Sequence, residues 1–92
     1  MSDATDPLAA QLLIVREKVM KLMHVLVSDG TTYETSAGEI ARIADIFERN
    51  GSFGEAEAMW VLARDYRIRA LEVQGQIAAL RHQYAGLYED PT

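Results

Sequence analysis

The side chains that could carry chemistry in this sequence are two histidines and nine lysine or arginine residues. His24 and His82 lie far apart, and neither forms the Glu-x-x-His or His-x-x-x-His spacing with which helices bind metals. The chain has no cysteine, which excludes disulfides, thiolate zinc sites and cysteine catalysis. We therefore predict no metal site, no cofactor and no catalytic residue.

The cations could hold an anionic substrate only if several of them met in one pocket. Most fall on outward or flanking positions of the helices predicted below. They are Arg16, Lys18, Lys21, Arg42, Arg49, Arg64, Arg67, Arg69 and Arg81. Three-helix chorismate mutases are similar in size and bind a dicarboxylate with clustered cations. That resemblance implies a small helical enzyme, which stays an alternative although the family's arginine-rich signature is missing from the first predicted helix, at about residues 7–28.

The net charge of −5 disfavours binding to nucleic acids or to anionic lipid. A helix-turn-helix built around Asn50-Gly51 would place the acidic stretch Phe53 to Glu57 against phosphates. The acidic N-terminus lacks the positive charge of a secretory signal, and no span of about 20 apolar residues exists. We predict a cytoplasmic protein with neither a nucleic-acid nor a membrane partner.

Three helices are predicted from their start and stop signals. Asp6-Pro7 begins the first helix, and Asp29-Gly30 ends it. A capping box at Ser36 begins the second helix, which ends at Asn50-Gly51, and another at Ser52 begins the third. The predicted fold is an all-α, antiparallel three-helix arrangement with helices at about 7–28, 36–49 and 52–88. Residues 1–92 form one domain, with 1–5 and 89–92 frayed.

The first helix carries an apolar seam with steps of four and three residues, as in a coiled coil. The seam consists of Leu8, Leu12, Val15, Val19, Leu22 and Leu26. A second stripe of Leu13, Met20, Met23 and Val27 lies beside it, so the apolar arc is wide. A helix with so broad an apolar surface requires more than one neighbour.

Residues 38–63 show the spacing of large and small side chains found in a helical hairpin. The positions are Ile40, Ile43, Ala44, Phe47, Gly51, Phe53, Ala56, Trp60 and Ala63. This segment resembles a single tetratricopeptide repeat unit, although Ile68 stands where that family usually has a proline. The resemblance implies a helical hairpin and a role in binding proteins or peptides.

The third predicted helix would be roughly 50 Å long, whereas the first two would be roughly 30 and 20 Å. Its apolar stripe would therefore extend beyond the helices that could cover it. The predicted partner-binding residues are Val73, Gln74, Ile77, Leu80, Arg81, Tyr84 and Leu87. The predicted function is a non-enzymatic protein-protein interaction module that self-associates through helices 1 and 3, most simply as a homodimer. A small accessory subunit, a secretion-type chaperone or an antitoxin-like inhibitor of a larger protein stays an alternative.

Overall fold

The computed structural model describes residues 6–85, which form two long antiparallel helices joined by a tight turn. Helix α1 runs from Pro7 to Arg49 and helix α2 from Phe53 to Gln83. The molecule is a rod with principal extents of 75 × 17 × 17 Å. For these residues the prediction of an all-α fold is confirmed, and the prediction of a three-helix arrangement is wrong.

The two ends of α1 follow the local signals in the sequence. Asp6 caps the first turn, where its side chain accepts a hydrogen bond from the backbone N–H of Leu8 at 3.0 Å. At the other end Gly51 has a φ of +79°, the left-handed conformation that a glycine adopts without strain. The N–H groups of Gly51 and Ser52 donate to the carbonyls of Glu48 and Phe47, which closes α1 in a Schellman motif.

The predicted break between helices at 7–28 and 36–49 does not exist, because α1 continues through it. The hydroxyl groups of Thr31 and Thr32 donate to the carbonyls four residues earlier, at 3.0 Å each, so these polar residues fit within a helix. Gly30 does not end the helix. It allows α1 and α2 to pack closely. A Cβ atom at this position would lie 3.3 Å from Cγ1 of Val73 on α2.

A seam of two heptad rows on each helix joins α1 to α2. All of these positions are buried or half-buried, whereas most of their neighbours are exposed. On α1 they are Val19, Met23, Leu26, Gly30, Tyr33, Ala37, Ile40, Ala44 and Phe47. On α2 they are Ala56, Met59, Ala63, Tyr66, Ala70, Val73, Ile77, Leu80 and Tyr84. The seam makes a two-helix coiled coil out of one chain.

Alanine dominates the most deeply buried positions of the seam. The fully or nearly fully buried alanines are Ala37, Ala44, Ala56, Ala63 and Ala70. Because the distance between two helix axes depends on the side chains at the contact, these small residues let the backbones approach closely. Larger side chains fill the space beside them. Tyr33 and Tyr66 pack with ring centroids 6.0 Å apart, and the Arg69 guanidinium lies 5.5 Å from the Tyr66 centroid.

The relative lengths of the helices also differ from the prediction. With 43 residues α1 is longer than α2, which has 31 described residues. The third predicted helix, at 52–88, therefore begins where expected but packs along a longer partner. Its last turn and the predicted fraying of residues 1–5 and 89–92 lie outside the described residues.

Gly75 offers a test of local helix energetics on α2. The residue is exposed, and a Cβ atom there would meet no atom within 4 Å. Gly75→Ala is expected to raise the free energy of unfolding by roughly 0.5–1 kcal/mol, because alanine loses less backbone entropy in a helix. Denaturant unfolding followed by circular dichroism measures the change. A decrease in stability would contradict a regular helix at this position.

Candidate protein-interaction surface

The pairing register of the helices shows where α1 extends beyond α2. Gly30 packs against Val73. In an antiparallel pair, Val19, eleven residues before Gly30, lies opposite Tyr84, eleven residues after Val73. Residues 7–18 of α1 therefore extend past the described end of α2 by roughly 18 Å. We call this segment the N-terminal overhang.

Apolar side chains continue along the overhang without a covering helix from residues 6–85. Val19 is 7% exposed, because α2 covers it. The preceding seam residues Leu8, Leu12 and Val15 are 63%, 51% and 40% exposed. Leu12 continues the covered heptad row of Val19, whereas Leu8 and Val15 continue the adjacent row of Leu22, which is 47% exposed. The overhang thus presents an exposed apolar stripe that joins the seam at Leu12.

The apolar surface of α1 also extends around its sides. Leu13, Ile14 and Met20 are exposed, and Leu13 and Met20 border a shallow depression on α1. Glu17 and Lys21 form an exposed ion pair at 3.1 Å, one turn apart, near the same depression. An exposed pair of this kind adds little stability. A helix that is apolar around most of its circumference normally lies inside an assembly.

The predicted partner-binding residues on α2 lie mostly in the intramolecular seam. Val73 is buried, while Ile77, Leu80 and Tyr84 are half-buried along the same two rows. Gln74 and Arg81 are exposed, and the Gln74 amide donates to the Glu34 carboxylate of α1 at 3.1 Å. Leu87 lies outside the described residues. Among the described members of the set, the apolar side chains contribute to the hairpin itself.

The titratable side chains are distributed over the surface. His24 and His82 are exposed on different helices, and all nine lysine and arginine residues are exposed. The arrangement that the mutase resemblance implies, cations converging in a dry pocket, does not occur among residues 6–85. Within the same range, neither helix has a stretch apolar and long enough to cross a membrane.

Comparison with protein-family models, curated proteins and solved structures gives no match. The tetratricopeptide resemblance of residues 38–63 therefore stays a prediction. In the structure this segment spans the end of α1, the Gly51 turn and the start of α2. Trp60 lies on the α2 half of this segment, and its indole N–H donates to the Glu48 carboxylate of α1 at 3.1 Å.

The overhang was not predicted from the sequence to be an uncovered apolar surface, although the pattern that indicates it is present. The apolar seam predicted for the first helix includes Leu8, Leu12 and Val15. The apolar surface of that helix was also predicted to be too wide for a single neighbouring helix to cover. The prediction placed the uncovered stripe on the third helix because it assumed a short first helix. Once α1 continues through Gly30, the uncovered apolar residues lie at its N-terminal end.

Proposed function

We propose that this protein is a non-enzymatic interaction module that self-associates through the N-terminal overhang of α1. The observation that carries the proposal is the exposure of Leu8, Leu12 and Val15 directly before the buried Val19. Full burial of a leucine or valine side chain contributes roughly 1.5–3 kcal/mol. The overhang therefore gains free energy from any helix that covers its seam.

Self-association is favoured over a docking partner of opposite charge by the composition of this segment. Residues 6–28 contain three cations, Arg16, Lys18 and Lys21, and two acidic residues, Asp6 and Glu17. A second copy of such a nearly neutral segment meets little repulsion, whereas the chain as a whole carries −5. The apolar seam, rather than charge, supplies the attraction.

The test is the effect of Leu12→Asp on the solution mass. The natural chain is expected to give about twice 10.3 kDa by light scattering in the micromolar to millimolar range, where weak association is visible. Leu12→Asp would place a carboxylate in the interface of each copy, so the dissociation constant is expected to rise at least about 100-fold. Circular dichroism should show unchanged helicity, because Leu12 lies outside the part of the seam that α2 covers.

The matched control is Leu71→Asp. Leu71 is 65% exposed on α2 and lies away from the overhang, so the same change should leave the dimer intact. A natural chain that stays at 10.3 kDa over the whole concentration range would contradict the proposal. An equal loss of association in both variants would also contradict it, because the effect would then come from net charge.

A further inference from the structure

The space beside the overhang has the dimensions of a second overhang. In the hairpin, α2 occupies the seam side of α1 as far as the position opposite Val19. Beyond that point the same side of α1 continues along residues 7–18 for roughly 18 Å, and no helix from the described residues covers it. The overhang of another copy has the same length and an apolar seam of the same spacing.

Only an antiparallel arrangement lets two overhangs meet through their seams. In a parallel pair the two α2 helices would run into the same space, because each lies on the seam side of its own α1 from Val19 onward. In an antiparallel pair the two hairpins leave the interface in opposite directions.

We propose that two copies pair antiparallel through their overhangs, with a two-fold axis near Leu12, to form one continuous two-helix rod. This inference rests on the proposed function and adds the geometry of the partner. Leu8 of one copy then lies near Val15 of the other, and Leu12 of each copy continues the row of Val19 against which α2 packs. The axis passes near Leu12 because that residue is close to the midpoint of residues 7–18.

The length of the dimer distinguishes this arrangement from others. One hairpin is 75 Å long, and two hairpins that overlap by roughly 18 Å give a rod of about 130 Å. Two hairpins packed side by side would keep a maximum dimension near that of one hairpin. Small-angle X-ray scattering of the natural full-length chain, at a concentration where light scattering reports a dimer, measures this dimension. A value near 130 Å supports the inference.

Disulfide trapping tests the orientation, and the natural chain provides a cysteine-free background. Leu12→Cys should form a covalent dimer on mild oxidation, because both copies of position 12 lie near the axis. Leu8→Cys alone should not, since the two copies would be separated by roughly 12 Å along the rod, too far for a disulfide. A mixture of Leu8→Cys and Val15→Cys chains should form the mixed disulfide.

Several outcomes would overturn the inference, and they separate it from the proposed function. A dimer of side-by-side length, or efficient self-crosslinking of Leu8→Cys, refutes the antiparallel rod and leaves self-association standing. A monomer at all concentrations refutes both. By the pairing register of the hairpin, a continued α2 would bring position 87 opposite position 16. A disulfide within one chain of the double variant Arg16→Cys/Leu87→Cys would therefore show that the chain's own C-terminal residues cover the overhang, which also refutes the inference.

Discussion

Ala63→Leu is expected to lower the thermal unfolding midpoint by roughly 5–20 °C. Ala63 is 0% exposed and lies in the alanine row of α2, where that helix approaches α1. A leucine adds three carbon atoms to a contact that has no room for them, so the helices must separate along their length. Overpacking of this kind costs roughly 1–3 kcal/mol, and each kcal/mol shifts the midpoint of a domain this size by roughly 4–8 °C.

The control for this prediction is Ala58→Leu, the same substitution at an exposed position of α2. Leucine and alanine are both strong helix formers, so this variant should unfold within about 0.5 kcal/mol of the natural chain. Thermal scans by circular dichroism, with fluorescence of the single tryptophan Trp60 as a second probe, measure both variants. The scans are made in a Leu12→Asp background, because association would make the midpoint depend on concentration. Equal midpoints would show that the alanine seam is not tightly packed.

The sequence alone predicted those features of the fold that depend on local chemistry. The Asp6-Pro7 start and the Asn50-Gly51 turn are in place, because a side-chain cap and a left-handed glycine act within a few residues. The start of α2 is also correct. The predicted cause of that start, a capping box at Ser52, is wrong, because the Ser52 side chain makes no capping hydrogen bond in the structure.

The prediction from the sequence was wrong where the same residue has a local helix-end signal and a tertiary contact. Asp29-Gly30 has the composition of a helix stop, and Ser36 with Glu39 has the composition of a helix start. Neither is used, because a continuous α1 keeps the heptad rows in register past Gly30 and brings Gly30 against Val73. Helix propensity is a weak preference that packing along a long seam overcomes.

The same error placed the uncovered apolar stripe on the third predicted helix rather than on α1. One heptad row runs unbroken from Leu12 to Phe47, and reading it as continuous would have made α1 the longer helix. Periodicity alone does not show where a partner helix ends. Whether Val73 or Leu12 is covered depends on the pairing register, which is set by contacts between residues distant in sequence. The uncovered apolar surface therefore required the structure to be found.

Gly30→Leu and Gly38→Leu are expected to change stability in opposite directions, although both replace a glycine of α1. At Gly30 the new Cβ would lie 3.3 Å from Cγ1 of Val73, and the rest of the leucine would have to enter the seam. The cost of overpacking, roughly 1–3 kcal/mol, exceeds the gain of up to about 1 kcal/mol from removing a helical glycine. At Gly38 no atom lies within 4 Å of the new Cβ, so only the gain remains.

Denaturant midpoints of the two variants, again in the Leu12→Asp background, measure the difference. We expect Gly30→Leu to unfold at a lower denaturant concentration than the unsubstituted chain and Gly38→Leu at a higher one, with unchanged slopes. The comparison tests the feature on which the overhang depends, since the register is anchored where Gly30 meets Val73. If both variants were stabilised alike, Gly30 would not lie against α2. The helix could then end at Asp29-Gly30, and residues 7–18 would no longer extend from the hairpin as a rod.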